Sequence, residues 1–88
     1  MNINTDDLKK KIIYRSTYRG TKEMDELLGS FTKKYINTLI YEDLKCLLDL
    51  LNIDDENLYK FNQGEDTFIN IKKNKVSNLF KEFIYEDK

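Results

Sequence analysis

Residues 22–35 read Lys-Glu-Met-Asp-Glu-Leu-Leu-Gly-Ser-Phe-Thr-Lys-Lys-Tyr, and this stretch decides the fold class. Met24, Leu27, Leu28, Phe31 and Tyr35 fall at i, i+3, i+4, i+7 and i+11, the spacing that lines up one face of an α-helix, while charged, small and hydroxyl residues occupy the other positions. No stretch of the chain alternates cleanly with period two. Outward from this helix, Leu44, Leu47, Leu48 and Leu51 form a second stripe, with Cys46 and Leu50 thickening it, and predict a helix from about Tyr41 to Leu51 that starts without a good cap. On the N-terminal side, Asn4 or Thr5 can cap a helix from about Asp6 to Tyr18, with Asp6 and Asp7 favouring its first turn and Leu8, Ile12 and Arg15 along one face.

Asp54 is an N-cap candidate for a short helix through Leu58, Tyr59 and Phe61, which Gly64 would end. Asp66 or Thr67 can start a last helix, in which Val76, Leu79, Phe80 and Phe83 recur at helical spacing against the weak helix formers Asn70, Asn74 and Asn78. The absence of proline and the presence of only three glycines fit the same picture. The expectation is an all-α fold: a small bundle of about five short helices joined by short turns, one domain over residues 1–88, with ends near 1–4 and 85–88 frayed.

Composition narrows the function. A chain of 88 residues has room for one modest core. Hydrophobic residues at 40% and charged residues at 35% suit a folded protein, and the net charge of −1 provides no global attraction for a polyanion. With one cysteine and no histidine, Ser-His and Cys-His nucleophiles, the usual zinc sites and an intrachain disulfide are all excluded. Carboxylate chemistry survives this cut, but no pocket for it is visible. No apolar run approaches the roughly 20 residues that span a bilayer, and Met1 to Lys11 resembles neither a signal nor a transit peptide, so the expected location is the cytoplasm.

The apolar stripes are core. Tyr14, Tyr18, Tyr41 and Tyr59 fit either a core edge or an interface, because a tyrosine ring can be buried while its hydroxyl meets a polar partner. Lys9, Lys10, Lys11, Arg15 and Arg19 gather positive charge near the first helix; a solvated helix face explains them, and a nucleic-acid-associated regulator or antitoxin-like module is the alternative. Cys46 reads as a small buried hydrophobe. Asp54, Asp55 and Glu56 resemble a metal cluster, but capping and the helix dipole already account for acids there.

The segment Arg19-Gly20-Thr21-Lys22-Glu23 is different. Gly20 marks a joint between two helices and leaves the backbone open to another surface. An Arg19–Glu23 pair is the local explanation, yet a cation before the start of a helix opposes its dipole, and Arg before Glu is the poorer order. A partner elsewhere is therefore expected for the planar guanidinium, such as a carboxylate or phosphate across an interface.

Here the sequence resembles the succinate dehydrogenase assembly factor 2 family of small flavinylation factors, whose signature is R-G-x-x-E. The resemblance runs from Tyr14-Arg15-Ser16 through Arg19-Gly20-Thr21-Lys22-Glu23-Met24-Asp25-Glu26-Leu27-Leu28-Gly29-Ser30-Phe31. It continues in the leucine-rich Leu44 to Leu51 and in Asp54 to Phe61 and Gly64. Phe61 stands where the family commonly has tryptophan, and Ile40 where a serine-type cap is usual.

The resemblance implies a five-helix bundle that binds the flavoprotein subunit of succinate dehydrogenase or fumarate reductase and promotes covalent attachment of FAD to a histidine of that subunit. It implies an assembly factor or chaperone, not an enzyme, with no cofactor or metal of its own, no nucleic-acid partner, no membrane insertion and a monomeric free state. The motif positions it carries over are Arg19, Gly20 and Glu23, and the wider footprint adds Arg15, Tyr18 and Asp25.

Overall fold

In the computed structural model, which describes residues 5–85, helix α1 spans Thr5–Thr17, α2 Lys22–Tyr35, α3 Tyr41–Leu51, α4 Asp55–Asn62 and α5 Lys75–Glu82. Among these residues there is no β-strand, and the fold is an all-α bundle of five short helices. Fraying at 1–4 and 86–88 and capping by Asn4 lie outside the described residues. Thr5 is already helical, and Tyr85 packs against the core.

Each helix is set by a local signal. Thr21 caps α2, its Oγ1 accepting from the Met24 amide at 3.3 Å, and Met24, Leu27, Leu28 and Phe31 are buried as the spacing requires. Ile40 precedes α3 without any side-chain cap bond, the weak start expected of it. Asp54 accepts from the Asn57 amide at 3.3 Å and starts α4, and Gly64 follows that helix at φ +76°, a conformation that suits glycine.

Three details of the helix faces differ from the periodicity reading. On α1 the third buried position is Ser16, not Arg15, which lies on the exposed side and bonds Asn52 at the end of α3. On α3 Leu50 is buried and Leu48 half-buried, the reverse of the expected weighting. On α2 Thr32 joins the buried face, while Tyr35 stays half-buried with its ring 5.0 Å from that of Phe31.

The largest correction concerns the last helix. It begins at Lys75, not near Asp66 or Thr67, so residues 63–74 form a long non-helical connection where a short turn was expected. Asn74 accepts from the Ser77 amide at 2.8 Å while the Ser77 hydroxyl accepts from the Asn74 amide at 2.9 Å, a reciprocal cap that outcompetes earlier starts. Asn57, 5% exposed, tethers the connection: its Oδ1 accepts from the Phe68 amide at 2.8 Å while its Nδ2 donates to Asp54 Oδ1 at 2.8 Å. Asn57→Ala removes both bonds from a buried amide and should cost about 1–2 kcal/mol. Thermal melts should show a drop of about 5–15 °C, with faster amide exchange at Phe68.

The buried hydrophobic side chains form one cluster to which all five helices contribute. At its centre the Phe31 ring meets those of Phe80 at 5.2 Å and Phe83 at 5.3 Å, both nearly edge-on. α1 packs against α2 and α3, while α5 packs against α3 and α4, which brings the α1–α2 joint close to the α3–α4 corner. No helix among the described residues is long and apolar enough to cross a membrane.

Candidate functional site

Between α1 and α2 the chain turns through Tyr18, Arg19, Gly20 and Thr21. Gly20 has φ +111°, and a Cβ built there meets no atom within 4 Å. Its glycine is therefore required by backbone conformation, while the space over it stays open to an approaching surface. Asp25 Oδ1 accepts from the Arg19 amide at 2.5 Å, so the first turn of α2 holds the turn that precedes it.

The Arg19 side chain points inward, only 12% exposed. Its Nε donates to Asp55 Oδ1 at 2.8 Å, Nη1 to the Leu51 carbonyl at 2.6 Å and the Arg15 carbonyl at 3.4 Å, and Nη2 to the Ile53 carbonyl at 2.7 Å. The expected partner across an interface is thus found inside the chain. The electrostatic logic is plain: the guanidinium lies at the C-terminal ends of α1 and α3, where free carbonyls and the helix dipole favour a cation, and at the start of α4 the Asp55 carboxylate offsets a dipole of the opposite sign. The Arg19–Glu23 pair does not form.

The other residues of the expected footprint divide between holding and display. Arg15 is exposed, with Nη1 donating to Asn52 Oδ1 at the end of α3. Tyr18 is 70% exposed, its ring tilted on that of Tyr14 at 4.8 Å. Glu23 is exposed, and among the described residues it has no hydrogen-bond or ion-pair partner. Arg19 and Asp25 therefore build the joint, and Tyr18, Gly20 and Glu23 face outward from it.

Close to the joint, Asp54 has its pKa lowered, chiefly by the hydrogen bond from the Asn57 side chain. Because the folded value is depressed, the contribution to stability is present at neutral pH and is lost as the pH falls through that value. Among the described residues no group of three or more His, Cys, Asp or Glu is placed to hold a metal ion. The basic cluster is partly consumed within the fold, since Lys9 Nζ donates to Asn37 Oδ1 at 3.4 Å and both arginines are engaged.

Sequence reasoning missed two features. One is Thr21 as the cap of α2, which its position before an acidic first turn could have revealed. The other is a cleft beside Glu23, bounded by Glu26, Tyr59, Lys81 and Ile84, whose far wall is the segment after α5. No local sequence signal places that wall there.

Fold and site define a small all-α protein whose first helix joint is held from within by Arg19 and is open to solvent at Gly20 and Glu23. The sequence model of a family described as flavinator of succinate dehydrogenase matches residues 10–84, and the chain belongs to that family. It is 36% identical over 58 residues to the mitochondrial succinate dehydrogenase assembly factor 2 of Komagataella phaffii, a match covering 66% of this chain and 30% of the relative. With the protein of the same name from Arabidopsis thaliana it shares 31% identity over 51 residues, covering 58% of this chain and 27% of the relative. The matched segments thus span less than a third of the length of these relatives. No solved structure matches the chain.

Proposed function

We propose that the chain binds the flavoprotein subunit of succinate dehydrogenase, or of the related fumarate reductase, and promotes covalent attachment of FAD to a histidine of that subunit. The observation that carries this reading is the arrangement of the R-G-x-x-E segment in a member of the flavinator family. Its arginine fixes the joint from within, and its glycine and glutamate are left open on the surface. Arg15, Tyr18 and Asp25 complete the footprint, Asp25 by holding the Arg19 amide.

The chain supplies no imidazole, since it contains no histidine. Its help comes from geometry. Joining a flavin methyl carbon to a side chain requires the two reacting atoms in near-attack position, and holding them so can remove several kcal/mol of a barrier. By binding one conformer of the flavoprotein more tightly than the rest, the bundle shifts its partner toward the aligned state, to an extent limited by the difference in affinity. FAD is the partner's substrate in this scheme and the bundle leaves unmodified. A cytoplasmic location and a monomeric free state belong to the same proposal, set beside relatives whose names place them in mitochondria.

The test incubates FAD-loaded flavoprotein subunit with and without the purified chain, following flavin fluorescence on a denaturing gel and the intact mass of the chain. Covalent flavin should rise on the subunit only, and Glu23→Ala should slow the rise while leaving the melting temperature unchanged. Flavin on the chain itself, or no dependence on it when the two bind, rules the mechanism out.

A further inference from the structure

The cleft beside Glu23 has a volume of about 480 Å³, within the range of ligand-binding pockets. It lies between the first turns of α2, the C-terminal end of α4 and the residues after α5. Its far wall is anchored. Asn62 Nδ2 donates to the carbonyls of Phe80 and Phe83, both at 2.8 Å, and Phe83 and Tyr85 pack against the core. The Tyr85 hydroxyl lies 3.3 Å from Glu26 Oε2, which joins that wall to α2.

Two kinds of surface meet in this cleft. Ile84, 78% exposed, and Tyr59, 48% exposed, provide apolar walls that no part of the described chain covers. Glu23 and Glu26, three residues apart on one helix face, provide two carboxylates against the single ammonium of Lys81. A pyrophosphate would meet both acids, so FAD is a poor occupant. A cation carrying apolar stem atoms is a good one. The guanidinium suits it better than an ammonium, because its planar fork has donors enough to reach two carboxylates and a face that stacks on a tyrosine ring.

We infer that this cleft receives an arginine side chain of the flavoprotein subunit together with the apolar residue next to it. The inference rests on the proposed function and adds to it the chemistry of the contact: Glu23 acts with Glu26 as an arginine receptor, and Ile84 and Tyr59 close over the stem. Such an anchor is the kind of residue on which interface affinity concentrates.

The experiment uses the full chain and the purified flavoprotein subunit. A photo-crosslinking amino acid replaces Ile84, and the linked subunit peptide is identified by mass spectrometry. Affinities are measured for the wild type, Glu23→Gln, Ile84→Ser and the control Glu42→Gln, which removes an acid outside the cleft.

The crosslinked peptide should contain an arginine flanked by an apolar residue. Glu23→Gln and Ile84→Ser should each weaken binding about tenfold, with Glu42→Gln unchanged, and Arg→Glu at the identified position should be rescued by Glu23→Arg. Both cleft positions are exposed, so melting temperatures should match the wild type; for a variant that melts early, the crosslink and the charge swap decide. Wild-type affinity in both cleft variants, or a linked peptide without arginine, overturns the inference and leaves the proposed function standing. Failure of the wild type to bind the subunit overturns both.

Discussion

Arg19→Ala should lower the stability of the bundle by about 2–4 kcal/mol, and the melting temperature by about 10–25 °C. The substitution removes hydrogen bonds to the Leu51, Ile53 and Arg15 carbonyls and the ion pair with Asp55, and leaves those acceptors without the cation that satisfied them. Bonds to a charged donor are worth more than neutral ones, and a part-buried acceptor left alone costs its desolvation. Arg19→Lys should recover only a fraction, since one ammonium cannot present donors in the directions the guanidinium spans. Read as an exposed contact residue, Arg19 would be dispensable for folding; its inward course reverses that expectation. A thermal melt monitored by helical circular dichroism decides, and a wild-type melting temperature for Arg19→Ala would refute the clamp.

Phe31→Ala should have the larger effect, about 3–5 kcal/mol. The ring is fully enclosed and meets three other aromatic rings, those of Tyr35, Phe80 and Phe83, so truncation opens a cavity where α2 meets α5 and the segment after it. A domain of this size has a total stability of only several kcal/mol. The variant should therefore be substantially unfolded at 37 °C, seen as loss of the helical signal and of a cooperative transition. Phe31→Leu, which keeps most of the volume, should retain both.

The elements that sequence reading placed well are those governed by local forces. The bounds of α2 and α3 follow from stripes of five and four apolar residues flanked by polar positions, and Asp54 caps α4 because its side chain needs only the amide three residues on. The start of α5 was not legible, because Asp66, Thr67 and Asn74 are all competent caps. What selects Asn74 is its reciprocal bond with Ser77, together with the hold of Asn57 on Phe68 from another helix.

At the site, the motif positions could be read and the role of one could not. The poor local pairing of Arg19 with Glu23 stands; apart from a long bond to the Arg15 carbonyl, its acceptors lie 32 to 36 residues further on, in a corner no periodicity describes. The cleft beside Glu23 was hidden for the same reason, as its far wall comes from the opposite end of the described chain.

The reach of the Arg19 side chain also bears on time. Its bonds to Leu51, Ile53 and Asp55 close a circuit of more than thirty residues, whereas the helix turns close over four. Closing so long a circuit carries an entropy cost that local turns avoid, so the clamp is expected to fasten after the helices have formed, and Arg19→Ala to speed unfolding more than it slows folding in stopped-flow kinetics. An interaction absent from the folding transition state leaves the speed of folding nearly untouched and slows unfolding instead. On that outcome Arg19 would be a latch on the lifetime of the native bundle, and with it on how long the Gly20–Glu23 surface remains assembled for an encounter.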